Sequence, residues 1–298
     1  MRSLPAAWSV RDRALPLTRP LVVGILNVTP DSFSDGGRYA TMSAALAQVE
    51  VMRVEGADVI DVGGESTRPH ASPVDGREER DRVVPIVAAI ASRFPDAVVS
   101  VDTVKAAVAE AALDAGAHAV NDVSGGRLDP RMHAVVARAR AGYVAMHSRG
   151  DVGVMGTYAL AEYGDDPAAE MLAELRERVD AALAAGIRPE ALAVDPGVGF
   201  AKRGPDSIAA LGALPQLVGW GFPVLVGLSR KRFVGELSGE PVASRRVYGT
   251  VGGNVAALAL GARLFRVHDV QASRQALDVA WAVLRAADSA RASLESVT

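Results

Sequence analysis

"EGADVIDVG", residues 55–63, sets the reading of the whole chain. A helix-like stretch stops at Glu55-Gly56-Ala57, a short apolar run follows, and polar groups stand at its end and just beyond, Asp61 and Glu65 among them. Glycine is a common helix stop because it enters the left-handed region without steric cost. The same unit recurs along the chain. Its apolar runs are LVVGILN (21–27), DVIDVG (58–63), VVSVD (98–102), AVNDV (119–123), YVAMH (143–147), LAVDPG (192–197), PVLVGLS (223–229) and LFRVHDV (264–270). The segments between them have helical spacing. In the clearest, Met171, Leu172, Leu175, Val179, Ala182 and Leu183 share a stripe that Glu174, Arg176, Glu177 and Asp180 avoid.

Eight short strands alternating with helices in 298 residues fit an α/β fold, the (β/α)8 TIM barrel, better than an open doubly wound sheet. The runs are apolar on both faces, as buried parallel strands should be. We expect a short hairpin-like N-terminal extension over residues 1–20, one barrel domain over 21–292, a tail at 293–298, and a mobile loop at 148–168. The 32 Lys and Arg nearly balance the 35 Asp and Glu and lie scattered, so no footprint for nucleic acid is present. The chain contains no Cys, hence no disulfide framework, thiolate nucleophile or Cys-based zinc site. Neither a signal-peptide stretch nor a bilayer-length apolar run is found, and a cytoplasmic protein with no membrane partner is expected.

In such a barrel the active site forms at the C-terminal ends of the strands. There stand Asn27; Asp61, Glu65, Ser66, Thr67 and Arg68; Asp102 and Thr103; Asn121 and Asp122; His147; Asp195; Ser229, Arg230 and Lys231; Arg266, His268 and Asp269. One polar ending is ordinary capping, but eight converging on one rim exceed what helix caps require. The expected arrangement has acids toward one side of a single cavity and cations toward the other. The polar stretch GILNVTPDSFSDGG (24–37) hangs over this rim.

That stretch, followed in order by GADVIDVGGESTRP, SVDT, NDVSG, DPGVGFAK, GLSRKRF and RVHDV, resembles the signature segments of the dihydropteroate synthase family, from about residue 8 to about residue 285. The resemblance implies a homodimeric cytoplasmic enzyme that joins (7,8-dihydropterin-6-yl)methyl diphosphate to p-aminobenzoate, with Mg²⁺ assisting departure of diphosphate. It implies a dissociative reaction through a pterin-stabilised cation, with catalytic groups Asp35, Asp102, Asp195, Lys231, Arg266 and His268. A dihydropterin edge needs carboxylates and an amide, and Asp102, Asn121 and Asp195 supply those types. By resemblance Lys231 reaches the pterin carbonyl, Met146 lines its pocket, Arg68 meets a phosphate and Asn27 is the Mg²⁺ ligand. Arg266 and His268 alternate on one strand and so point the same way, toward the leaving group. Phe33, Pro69 and Phe200 would form the slot for p-aminobenzoate, with Thr67 and Ser229 lining it and Asp35 reaching its amine. The chain departs from the usual pattern with His70 after STRP, while Arg232 stands where members carry either Ser or Arg to meet the p-aminobenzoate carboxylate.

Two other readings use the same pattern. A pterin-dependent methyltransferase domain shares the barrel but expels no diphosphate, so Arg266, His268 and the SRK segment count against it. A catalytically silent pterin-binding subunit would keep the pocket without turnover. A zinc amidohydrolase would need a His-x-His pair, which His70, His118, His133, His147 and His268 do not form.

Overall fold

The computed structural model describes residues 5–28, 37–66 and 74–295. The chain opens with an antiparallel hairpin, β1 (Ala7–Val10) and β2 (Arg13–Pro16). Eight parallel strands follow: β3 (Leu21–Asn27), β4 (Val59–Gly63), β5 (Val98–Asp102), β6 (Ala119–Asp122), β7 (Gly142–Met146), β8 (Leu192–Asp195), β9 (Leu225–Val226) and β10 (Leu264–Val267). They pair in the order β8-β7-β6-β5-β4-β3-β10-β9. A parallel bridge between Val194 and Val224, with Val194 N–H donating to Pro223 O at 3.0 Å, closes the ring. The expected barrel and hairpin are both present.

Two packing layers explain why the strands are apolar throughout. Even with both faces buried, side chains still alternate with a period of two. One set, including Val22, Leu26, Ile60, Val62, Val99, Val101, Val120, Tyr143, Val194, Val226, Phe265 and Val267, packs outward on the helices. The other set, Leu21, Val23, Val59, Val98, Ala119, Val144, Ala193, Leu225 and Leu264, fills the lower interior together with Trp8, Val10 and Leu17 of the N-terminal segment. Trp8 donates its indole N–H to Ala191 O at 2.8 Å. A side chain on Gly142 would run into Val10 and Trp8, so this glycine is what lets the hairpin seat in the barrel floor.

The long helices cover the outside: α1 (Gly37–Val54), α2 (Gly76–Arg93), α3 (Ala106–Asp114), α4 (Met132–Ala139), α6 (Pro167–Ala184), α7 (Gly204–Gly212), α10 (Val247–Ala259) and α11 (Val270–Glu295). Short ones, α5 (Val152–Met155), α8 (Leu214–Val218) and α9 (Arg232–Ser238), lie in the connections. On α6 the predicted stripe is the buried face, with Met171, Leu175, Val179 and Ala182 inside. The 148–168 segment, expected as a mobile loop, is partly helical. It contains α5, whose Asp151 cap accepts from Val154 N–H, and Met155 is fully buried. The final helix runs unbroken past 292–293 to Glu295.

Candidate functional site

Continuing the inward set one step up each strand turns the interior from apolar to polar. Above Val59, Val98, Ala119, Ala193 and Leu264 stand Asp61, Ser100, Asn121, Asp195 and Arg266, two residues further along the same strands. Asp102 and Met146 come one step above Ser100 and Val144, and His268 above Arg266. The strand ends therefore do meet at one mouth. Asp122 does not join them: one residue out of phase, it accepts bonds from Ser124 N–H and O–H, Gly126 N–H and Tyr143 O–H on the outer side.

The centre of the mouth is Arg266. Its Nε donates to Asp61 Oδ2 and its Nη2 to Asp102 Oδ2, both at 2.6 Å. Asp61 is wholly buried and also accepts from Ser100 O–H at 2.5 Å and Asn121 Nδ2 at 3.3 Å. Burial, with the negative charge of Asp61 adding to it, pushes the Asp102 carboxyl up to about 7 against the pull of Arg266. The two carboxylates hold the guanidinium up in its charged form despite burial. The acids and this cation thus interdigitate, where sequence suggested opposite sides. The reason is desolvation: an Arg on a barrel-interior position is tolerated only when acids pair with it.

A second cluster lies on the far side of the mouth. Asp195 is buried and accepts from Gly197 N–H at 2.7 Å; burial raises its carboxyl, and Lys231 pulls it back. Lys231 donates to Val198 O and stacks its ammonium 4.3 Å from the Phe200 ring centroid. Burial lowers it to about 8. The loop carrying these contacts is shaped by Gly197, at φ +65, where any side chain would collide with His147 O. Met146 and Phe200 belong to a small apolar cluster with Val104, Val123 and Met155. On the remaining flank His268 Nδ1 lies 2.9 Å from Ser229 Oγ, which also accepts the His268 backbone N–H at 3.1 Å. Arg230, at φ +60, pairs with Asp269, and exposed Arg232 lies 4.2 Å over the Tyr158 ring.

Phe33, Asp35, Thr67, Arg68 and Pro69, together with His70, fall outside the described residues. Asn27, the last residue of β3, borders the mouth: its Oδ1 and the Asp102 Oδ2 flank the same bare Cα of Gly63. Among the described residues no group of three His, Asp or Glu converges to hold a metal ion. A single carboxamide oxygen fits an ion that arrives with a phosphate-bearing substrate, since Mg²⁺ keeps several waters and takes the rest of its shell from phosphate.

Sequence reasoning counted Asp61 among the rim groups but gave it no role, although the period of two along β4 puts it on the inward face. It also passed over Lys202, which is 1% exposed, and gave His147 no partner. Lys202 Nζ lies 2.6 Å from His147 Nδ1, and His147 Nε2 lies 3.0 Å from Glu174 Oε2.

Comparison with known proteins agrees with this geometry. The signature of the family described as "Pterin binding enzyme" matches residues 23–268. Over 270 residues the chain is 48% identical to the dihydropteroate synthase of Mycobacterium leprae, covering 89% of this chain and 94% of that one. Over 271 residues it is 44% identical to that of Synechocystis, covering 90% and 91%. Among solved structures it is similar to Xanthomonas albilineans dihydropteroate synthase with 4-aminobenzoic acid, at TM-score 0.86, 44% identity, and 93% and 98% coverage. The same enzyme in complex with 7,8-dihydropteroate aligns at TM-score 0.81 and 43% identity over 91% and 96% of the chains. The barrel, its polar mouth and these matches together place the chain in the pterin binding enzyme family.

Proposed function

We infer that the chain acts as a dihydropteroate synthase, a transferase that makes 7,8-dihydropteroate and diphosphate from (7,8-dihydropterin-6-yl)methyl diphosphate and p-aminobenzoate. One observation carries this beyond family membership: Asp102, Asn121, Asp195 and Lys231 ring one mouth at whose centre lies Arg266. That set offers acceptors for the donor edge of a pterin, a donor for its carbonyl, and positive charge. A methyltransferase domain has no anionic leaving group for His268 and Arg266 to meet. No helix among the described residues is long and apolar enough to cross a membrane, and the substrates are small molecules.

The chemistry divides among the residues as follows. Asp102, Asn121 and Asp195 hold the pterin through its amino and ring N–H groups, and Lys231 donates to the carbonyl. The bond from the pterin methylene to the diphosphate oxygen breaks with its electron pair leaving on oxygen. The cation left behind is delocalised into a ring flanked by Asp102 and Asp195. His268, near the mouth edge, faces the departing oxyanion, Arg266 adds charge from below, and Arg68 is assigned a phosphate contact by the family resemblance. Preorganised groups of this kind are each worth on the order of 10²–10³ in rate. A Mg²⁺ ion carried on the diphosphate, with Asn27 as its protein ligand, would neutralise part of that charge. The amine of p-aminobenzoate then adds to the methylene carbon and releases one proton, in a slot assigned to Phe33, Asp35, Thr67, Pro69, Phe200 and Ser229, its carboxylate toward Arg232.

The active unit is proposed to be a cytoplasmic homodimer. Helices α10 and α11 pack together and leave an apolar groove lined by Val251, Val255, Ala276, Val279 and Val283. Tyr248, 90% exposed, also lines it, and Val279 and Val283 are 67% and 63% exposed. An exposed apolar face of this kind suits a two-fold partner of identical chain. The activity is tested by mixing both substrates with Mg²⁺. Diphosphate release coupled one-to-one to dihydropteroate formation is expected; release without p-aminobenzoate incorporation would remove the assignment.

A further inference from the structure

Lys202 is buried, carries an amine, and has no place in the chemistry above. Its surroundings are unusually well defined. Nζ lies 2.6 Å from His147 Nδ1, 3.1 Å from Gly197 O and 3.2 Å from Phe200 O. Three hydrogen-bond partners match the three hydrogens of an ammonium, whereas a neutral amine would have two hydrogens and a lone pair.

The ring of His147 supplies the third acceptor, one more than a neutral amine could serve. Its Nε2 faces Glu174, a carboxylate that Arg149 also grips, with Nε at 3.0 Å and Nη2 at 2.5 Å. The His147 and Arg149 bonds hold Glu174 down near 2, so it is ionised and can only accept. His147 must therefore donate from Nε2. Its Nδ1, in a neutral ring, must accept, and the only donor in reach among the described residues is Lys202. Burial works against the ammonium and pulls Lys202 well below the usual lysine range; Asp195 and Glu174 pull it back up, while Arg178 and Lys231 push it further down. The hydrogen-bond pattern outweighs that pull, because every proton has an acceptor and Glu174 balances the charge through the imidazole.

What the ammonium holds is the loop under the site. Gly197 N–H is bound by Asp195, Gly197 O by Lys202, and the next carbonyl, Val198 O, by Lys231. Phe200, whose carbonyl Lys202 also holds, stacks beneath the Lys231 ammonium. From the other side Arg178 fixes Met146 O at 2.8 Å and Ser148 O at 2.5 Å, so the His147 end of the chain is anchored too. We propose that Lys202 is a positioning residue, a charged, buried tether that sets the spacing of Asp195 and Lys231 through the Gly197–Phe200 loop. The inference rests on reading Asp195 and Lys231 as pterin contacts, and the test separates the two.

Binding of 6-hydroxymethylpterin is measured by calorimetry on wild type, Lys202→Met and Asp195→Asn, with thermal unfolding of each unliganded protein alongside. Lys202→Met is expected to stay folded and weaken the pterin about ten- to a hundredfold, the size of lost charged hydrogen bonds. A folded Lys202→Met with affinity within about twofold of wild type, beside a weakened Asp195→Asn, would overturn the tether and leave the site intact. Unchanged affinity in Asp195→Asn would overturn the site and the tether with it. Should Lys202→Met fail to fold, nitrogen-15 NMR of the Lys202 side chain and of His147 in the wild type decides. An ammonium signal for Lys202 Nζ, with His147 protonated on Nε2 alone, supports the charged tether; a neutral amine at Nζ, or a proton on His147 Nδ1, refutes it.

Discussion

Replacing Arg266 by Met keeps side-chain reach and removes the charge that two acids share. Asp61 is fully buried and Asp102 nearly so, each bound to Arg266 at 2.6 Å. Removing one member of such a buried ionic group typically costs about 3–5 kcal/mol. The cost here depends on pH, and its sign follows from Asp102. In the wild type its carboxyl sits near 7, above the value near 3.8 of an exposed Asp, so the folded state keeps a proton that the unfolded state has lost. Stability from this proton is present at low pH and is lost as pH rises toward the folded value. Arg266 is the influence that lowers Asp102, so its removal moves the folded value further up. The wild-type loss ends near pH 7; the variant's continues beyond it. For one proton, Arg266→Met should lose up to about 1.4 kcal/mol per pH unit more than wild type between about pH 7 and 8.5. Urea unfolding across that range measures it. Parallel pH dependences for the two proteins would refute the shared-cation account of Asp61 and Asp102.

Three other outcomes are expected. Asp195→Asn should weaken pterin binding by about tenfold or more, read by calorimetry, because the ring loses a charged acceptor. Gly197→Ala should sharply reduce turnover, since the new methyl meets His147 O and the backbone there is left-handed; a steady-state rate near wild type would show that the loop can reshape freely. Tyr248→Glu should shift the protein to monomer in sedimentation velocity, by placing a charge on the proposed interface.

The repeat that builds the barrel was legible because a helix stop followed by an apolar run recurs eight times, which suits a closed barrel better than an open sheet. The site was legible only as residue types at strand ends. Asp61 was visible as a rim group, but its role was hidden, because nothing along β4 tells which polar group it meets. Its pairing with Arg266 spans 205 positions and has no local signal. Asp122, next to a true mouth residue, looked equivalent to it until the two-residue period sent it outward. Lys202 carries no local signal of burial; only closure of the barrel around His147 and the Gly197 turn makes it a buried one. The placement of acids and cations also followed from desolvation in three dimensions, which a list of residues cannot supply.

The claim that the strand ends form one pterin pocket is tested most directly by a crystal structure with (7,8-dihydropterin-6-yl)methyl diphosphate bound. The account predicts the pterin ring between Asp102, Asn121, Asp195 and Lys231, with its diphosphate toward His268. A ring bound elsewhere on the barrel, with those four side chains untouched, would contradict it.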